Sequence, residues 1–231
     1  MDQSTRCLGL LRRRQFYVPT WRGVVVLALA LALVLAFLVR RVPAFLACNQ
    51  PVPAKILVVE GWAPDVAFDF VTDELKRAEY EKVIVTGGPL EFGAPLSEFR
   101  TYAERGAAIL LAMGLSSNLV QAVPAPRVMQ DRTYTAAVAL RRWMRVNAVP
   151  DQSFNLVTVG THARRSRMLY SIAFSRKVTV GTFAVPSQEF DPHRWYASSA
   201  GFRTVIGECL AYAYAKLFFY PRDPSLPPPA K

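Results

Sequence analysis

Five short apolar runs, each bounded by a glycine or a proline, recur from Lys55 onward with helix-length stretches between them. They read "KILVVEG" (55–61), "KVIVTGG" (82–88), "LVQAV" (119–123), "FNLVTVG" (154–160) and "KVTVGTFAV" (177–185). Continuous apolar runs of this length suit strands buried on both faces, as in a parallel sheet. The segments between them predict helices from Pro64–Asp65 to about Tyr80, from about Glu98 to Met113, from Asp131 to about Val146, and from the Gly160 turn through Phe174. Ala137, Leu140, Trp143 and Met144 fall on the inward face of the third. A last helix, rich in Tyr and Phe, is expected over 198–219. Such alternation predicts an α/β, Rossmann-like fold, a mostly parallel sheet with helices on both faces, over residues 55–220.

The N-terminal part is of another kind. "GVVVLALALALVLAFLV", Gly23–Val39, carries no charge over seventeen residues. With Trp21 and a snorkelling Arg22 it approaches the length needed to cross hydrocarbon. One transmembrane helix is therefore expected over 23–39, after a short N-terminal segment (1–22) and before a proline-containing tether (40–54). Arg6, Arg12, Arg13, Arg14 and Arg22 precede the run, while Arg40 and Arg41 follow it. That excess predicts a cytoplasmic N-terminus and a domain on the far side of the membrane, with the lipid bilayer as partner. A cleaved signal peptide fits less well, because the run exceeds the usual apolar core and two arginines precede any cleavage site. A lipoprotein ending at Cys48 is opposed by Arg40, Arg41 and Pro43. The proline-rich end, 221–231, is expected to be loose.

Ligands of open parallel sheets bind beyond the carboxyl ends of the strands. That rule gathers Glu60, Gly87, Gly88, Glu98, Arg100, Asp131, Arg132, Thr133, His162, Arg164 and Arg165 into one region. Gly87 and Gly88 either bring backbone N–H groups to an anion or simply turn the chain ahead of Pro89. Glu98, expected in a first helical turn, is either a dipole-stabilised carboxylate or a catalytic acid/base. Asp131 is an expected N-cap with an orienting role. Arg132 and Thr133 follow in a first turn, where a cation needs a carboxylate such as Glu98 or an anionic ligand. In "GTHARR", Thr161 can cap the next helix and present N–H groups to an anion. His162 suits acid/base chemistry near neutral pH. Arg164 and Arg165 point about 100° apart on a helix, so one faces the site, where a guanidinium matches phosphate or carboxylate. Glu98 and His162 are the catalytic candidates; Gly87, Gly88, Arg132, Thr133, Thr161 and Arg165 are the anion-binding ones.

Several functions are disfavoured. The chain carries a formal net charge of +11, which raises the prior for anionic partners without choosing among them. No basic tract with interleaved aromatics and no zinc-finger spacing is present, which disfavours nucleic acid as a partner. "EGW" and "TGGPLEFG" match neither a dinucleotide fingerprint nor a Walker loop, and "THARR" is not a nucleophile elbow. With two histidines and three unclustered cysteines, a multi-histidine metal site is excluded and no metal is assigned. The cofactor stays unknown, as does the oligomeric state. Cys48 and Cys209 either pair outside the cytoplasm or stay free.

The ordered elements "VTGG" (85–88), Ser97–Glu98, "DRT" (131–133) and "VTVGTHARR" (157–165) resemble the domain-of-unknown-function 218 family, the YdcF-like or SanA/ElyC-like proteins. The similarity covers about 55–185 and places His162 and Arg165 on the family's histidine and arginine. It implies a Rossmann-like fold, frequent membrane anchorage, and a role in bacterial envelope integrity and peptidoglycan or lipid-linked precursor metabolism. Tyr134, Thr135 and Ala136 stand where a Glu-Asn pair is common in that family. The expectation is therefore an inner-membrane, single-pass protein whose periplasmic domain binds an anionic envelope precursor. Catalysis by hydrolysis or transfer stands beside a non-catalytic binding or regulatory role.

Overall fold

Hydrophobic runs flanked by helices can bury both faces only if the strands lie side by side, and all five do so in parallel. A computed structural model describes residues 17–91, 96–149 and 153–221. The strands are β1 (Ile56–Glu60), β2 (Lys82–Gly87), β3 (Val120–Pro124), β4 (Ser153–Val159) and β5 (Thr179–Val185). Their order is β3-β2-β1-β4-β5. Leu57, Val58 and Val59 of β1 pair with Val83, Ile84 and Val85 on one side and with Asn155, Leu156 and Val157 on the other. The chain thus winds outward from β1 through β2 to β3, then returns to β4 on the opposite side of β1. That reversal between β1 and β4 is the topological switch point of the sheet.

Alternation of side chains along each strand divides the core in two. Ile56, Val58, Ile84, Phe154 and Leu156 pack with Ala137, Leu140 and Met144 of α4 (Arg132–Val146) and with Tyr170 and Phe174 at α5 (Ala163–Ala173). Leu57, Val59, Val83, Val85 and Val157 pack with Phe68 and Val71 of α2 (Asp65–Arg77) and Leu110 of α3 (Tyr102–Ala112). Trp143, expected inward, is only partly buried; Ala136 takes a buried place on α4.

The described residues fall into two units, one ending at Arg41 and the other beginning at Val42. The first holds most of α1 (Trp21–Leu46), whose most apolar stretch has a mean hydropathy of 2.7 and no buried residues. This helix is long and apolar enough to span a membrane. It does not stop at Val39 as expected. Helical backbone continues through Arg40 and Arg41 to Leu46, so nearly half of the expected tether is helix.

The rest of that tether is stitched to the sheet. Gln50 exchanges backbone hydrogen bonds with Thr182 on β5, at 2.8 and 3.0 Å. Buried Asn155 accepts from the Val52 N–H at 2.9 Å and donates to its carbonyl at 2.8 Å. Pairing of this kind covers backbone groups at an otherwise open sheet edge. The second unit closes with α6 (Ser199–Leu217), capped by the Ser198 side chain, which accepts from the Gly201 N–H at 3.0 Å. Of the expected loose end, only Pro221 is described; 222–231 lie outside the described residues, as does most of the N-terminal segment.

Candidate active site at the switch point

Glu60 ends β1, and although a buried carboxyl is costly unless hydrogen-bonded, only 2% of it is exposed. Its partners come from the other side of the switch point. Thr158 on β4 donates a hydrogen bond to Oε2. The Ser166 hydroxyl of α5 lies 3.0 Å from Oε1 and 3.2 Å from Oε2. One carboxyl is therefore held by β1, β4 and α5 together. Beneath it, Tyr170 and Thr86 share a 2.7 Å hydroxyl contact; burial first, and then the Glu60 charge, push the Tyr170 phenol far above its usual range.

Directly after β4 the chain tightens. Gly160 adopts φ +44°, in the left-handed region that favours glycine. A single tight turn, Gly160–His162, then feeds α5. His162 points into a cluster with Glu208 of α6 and Arg165. Its Nδ1 lies 2.9 Å from Glu208 Oε1. Arg165 donates to the same carboxylate from Nε at 2.9 Å and from a terminal nitrogen at 3.0 Å. Burial works against the Glu208 charge, but hydrogen bonds and charge from His162 and Arg165 outweigh it, and its carboxyl is held down at about 2. An ionised Glu208 only accepts, so Nδ1 of His162 carries a proton. The Arg165 nitrogen 2.9 Å from Nδ1 is then a second donor gathered around one carboxylate.

Whenever the ring carries a single proton, that proton sits on Nδ1 and Nε2 is left as an acceptor. Nε2 is buried, has no hydrogen-bond partner, and lies 4.0 Å from Glu60 Oε2. At 4.0 Å the two do not bond directly. Two acceptor atoms thus converge where a water or a ligand hydroxyl can donate. Trp62, just past β1, packs almost perpendicular to the imidazole with ring centres 4.9 Å apart and fixes its plane.

A cleft of about 1060 Å³ opens over this cluster. It is lined by Gly87, Gly88, Asp131, Arg132, Thr133, Thr161, His162 and Arg165, with Glu60, Arg105, Arg127 and Glu208. Distant parts of the chain therefore meet there, but several roles differ from expectation. Glu98 does not line the cleft. It is exposed ahead of α3, beside Phe99 and Arg100 at a separate shallow depression. The helix it was expected to open starts at Tyr102, because Thr101 and Glu104 form a reciprocal capping box. Carboxyl chemistry beside His162 falls instead to Glu60 and Glu208.

Arg132 pairs with Glu91 rather than Glu98. Asp131 precedes α4 but makes no side-chain cap, its φ of 57° turning it out of the capping conformation. Thr161 is buried in the turn before α5 and is not the residue at the helix N-cap, which is His162. Arg164 turns away from the cluster, donating to the Phe45 carbonyl and lying over its ring at 4.0 Å. At Gly87 a Cβ would come within 2.7 Å of the Tyr102 Cβ, so this glycine admits the start of α3. Gly88 has no atom nearer than 4.0 Å to such a Cβ. Arg105 and Arg127, both exposed, have no ion pair with a described residue.

Glu208 was not singled out from sequence. Its signal is compositional: it is the only acid in α6, a mostly apolar helix, where a buried carboxylate needs a partner. Among the described residues no three His, Cys, Asp or Glu side chains are placed to hold a metal ion, and Cys48 and Cys209 are free thiols. No model of a known protein family matches the chain, and no curated protein matches it either.

Proposed function

We propose that this chain is a membrane-anchored envelope protein of the inner membrane, N-terminus cytoplasmic. Its extracytoplasmic domain binds an anionic cell-wall or lipid-linked precursor and hydrolyses or transfers its phosphoryl or acyl group. The observation that carries this reading is the buried, unpartnered Nε2 of His162 facing Glu60 in the switch-point cleft. Glu208 holds the imidazole with Nδ1 protonated, and Nε2 removes a proton from a water or acceptor hydroxyl. That oxygen bonds to the phosphoryl or acyl centre, the bond to the leaving oxygen breaks, and the leaving oxygen takes the proton from Nε2. Arg105 and Arg127 at the cleft wall hold the anionic group. The family resemblance of the "VTGG", "DRT" and "THARR" elements supports the envelope setting.

A second reading, a non-catalytic binding or regulatory module, is favoured by one observation: Arg132 and Arg165 both already have carboxylate partners. The two readings separate with the full-length protein in detergent, given a polyprenyl diphosphate or a simple phosphomonoester. Catalysis predicts phosphate release, slowed about 100-fold or more in His162→Gln with binding retained. Binding without release favours the module. Neither binding nor release refutes both.

A further inference from the structure

α6 turns an apolar face outward. Phe202, Ile206, Leu210, Tyr214, Leu217 and the following Phe218 are each between 37% and 69% exposed. At about 100° per residue they cover an arc of about 160°, in which Arg203 is the only charge. The opposite face buries Gly201, Val205 and Ala215 and carries Glu208 into the catalytic cluster. A surface helix ordinarily turns its polar side to water, so this face calls for an apolar partner.

Chain connectivity identifies it. Phe45, near the end of α1, packs edge-on against Tyr212 of α6 with ring centres 5.8 Å apart, and Leu46 is buried beside it. Val39, the last residue of the uncharged run, precedes Phe45 by six residues, which span at most about 20 Å even when extended. A span that crosses the bilayer therefore keeps Phe45, which packs on the Tyr212 turn of α6, within about 20 Å of the hydrocarbon boundary. Aromatic and leucine side chains with one long arginine, Arg203, among them and Lys216 outside the arc are the composition of a helix lying in the headgroup region, where an arginine reaches the phosphates.

We propose that α6 lies in the membrane interface with this face among the lipids, so that the bilayer surface is the partner of the catalytic domain itself. Tyr214 belongs both to this face and to the cleft lining, which puts the mouth of the site at the lipid surface. The inference rests on the anchor reading, and its test keeps the two apart. The full-length protein, with its three cysteines replaced, carries one environment-sensitive fluorophore through Leu210→Cys, Leu31→Cys or Glu79→Cys. It is reconstituted into phosphatidylglycerol/phosphatidylethanolamine vesicles containing nitroxide-labelled lipid. The expected result is quenching at positions 210 and 31 but not at 79, with position 210 quenched best by nitroxides near the headgroup. Quenching at 31 alone overturns the inference and leaves the anchor standing. No quenching at 31 overturns both. Energy transfer between labels at 210 on different molecules, without lipid quenching, makes the face a contact between copies and overturns the inference.

Discussion

Glu208 shows what a single buried charge does here. Its carboxyl, near 4.5 in an unfolded chain, is held at about 2 in the fold by His162 and Arg165 against the cost of burial. A depressed acid stabilises the fold while ionised, so this contribution is complete above about pH 4.5 and fades as pH falls toward 2. It amounts to about 3 kcal/mol at neutral pH. Glu208→Gln is therefore expected to melt well below the parent at pH 7, with the gap closing as the pH is lowered through that window. Thermal melts of both proteins from pH 7 to pH 2.5 check this; a constant gap would show that Glu208 is not held ionised. His162 and Arg165 were legible in sequence because a polar, cationic strand end is rare. Glu208 was not, because the partners lie 46 and 43 residues away and nothing local in α6 marks which face is buried.

The elements follow from equally concrete contacts. Strand positions were readable because a strand buried on both faces has no polar alternation to obscure it, and β2 and β4 start within a residue of their apolar runs. The start of α3 was misplaced because Ser97–Glu98 offered one helix opening while Thr101 and Glu104, three residues apart, form the actual capping box. The tether showed no periodicity, since its order comes from Asn155 and Thr182 across the chain. Gly181 on β5 makes that order fit: a Cβ there would lie 2.0 Å from Asn155 Oδ1 and 2.8 Å from the Val52 nitrogen, a backbone atom that cannot easily move. Gly181→Ala is expected to displace Asn155 from Val52 and to cost about 1–3 kcal/mol. The denaturant midpoint of the variant measures it. An unchanged midpoint would mean that the tether contributes nothing to the stability of the sheet.

Across the whole molecule, winding order does the assembling. Because β4 returns beside β1, Glu60 and His162, about a hundred residues apart in sequence, end on adjacent strand tips, and α6 closes over them with Glu208. Net charge was a poor guide to this site: the chain is strongly basic, yet the cleft mixes arginines with carboxyls. The central claim is that His162 is held through Nδ1 and presents Nε2 to a ligand. Two histidines in the chain make it directly measurable: full-length protein labelled with ¹⁵N only in histidine yields two imidazole signatures, separable by His162→Gln. The account predicts a proton held on Nδ1 of His162, with a Nε2 resonance that shifts on adding a polyprenyl diphosphate while exposed His193 stays fixed. A His162 ring protonated at Nε2, with neither nitrogen responding to that ligand, would contradict it.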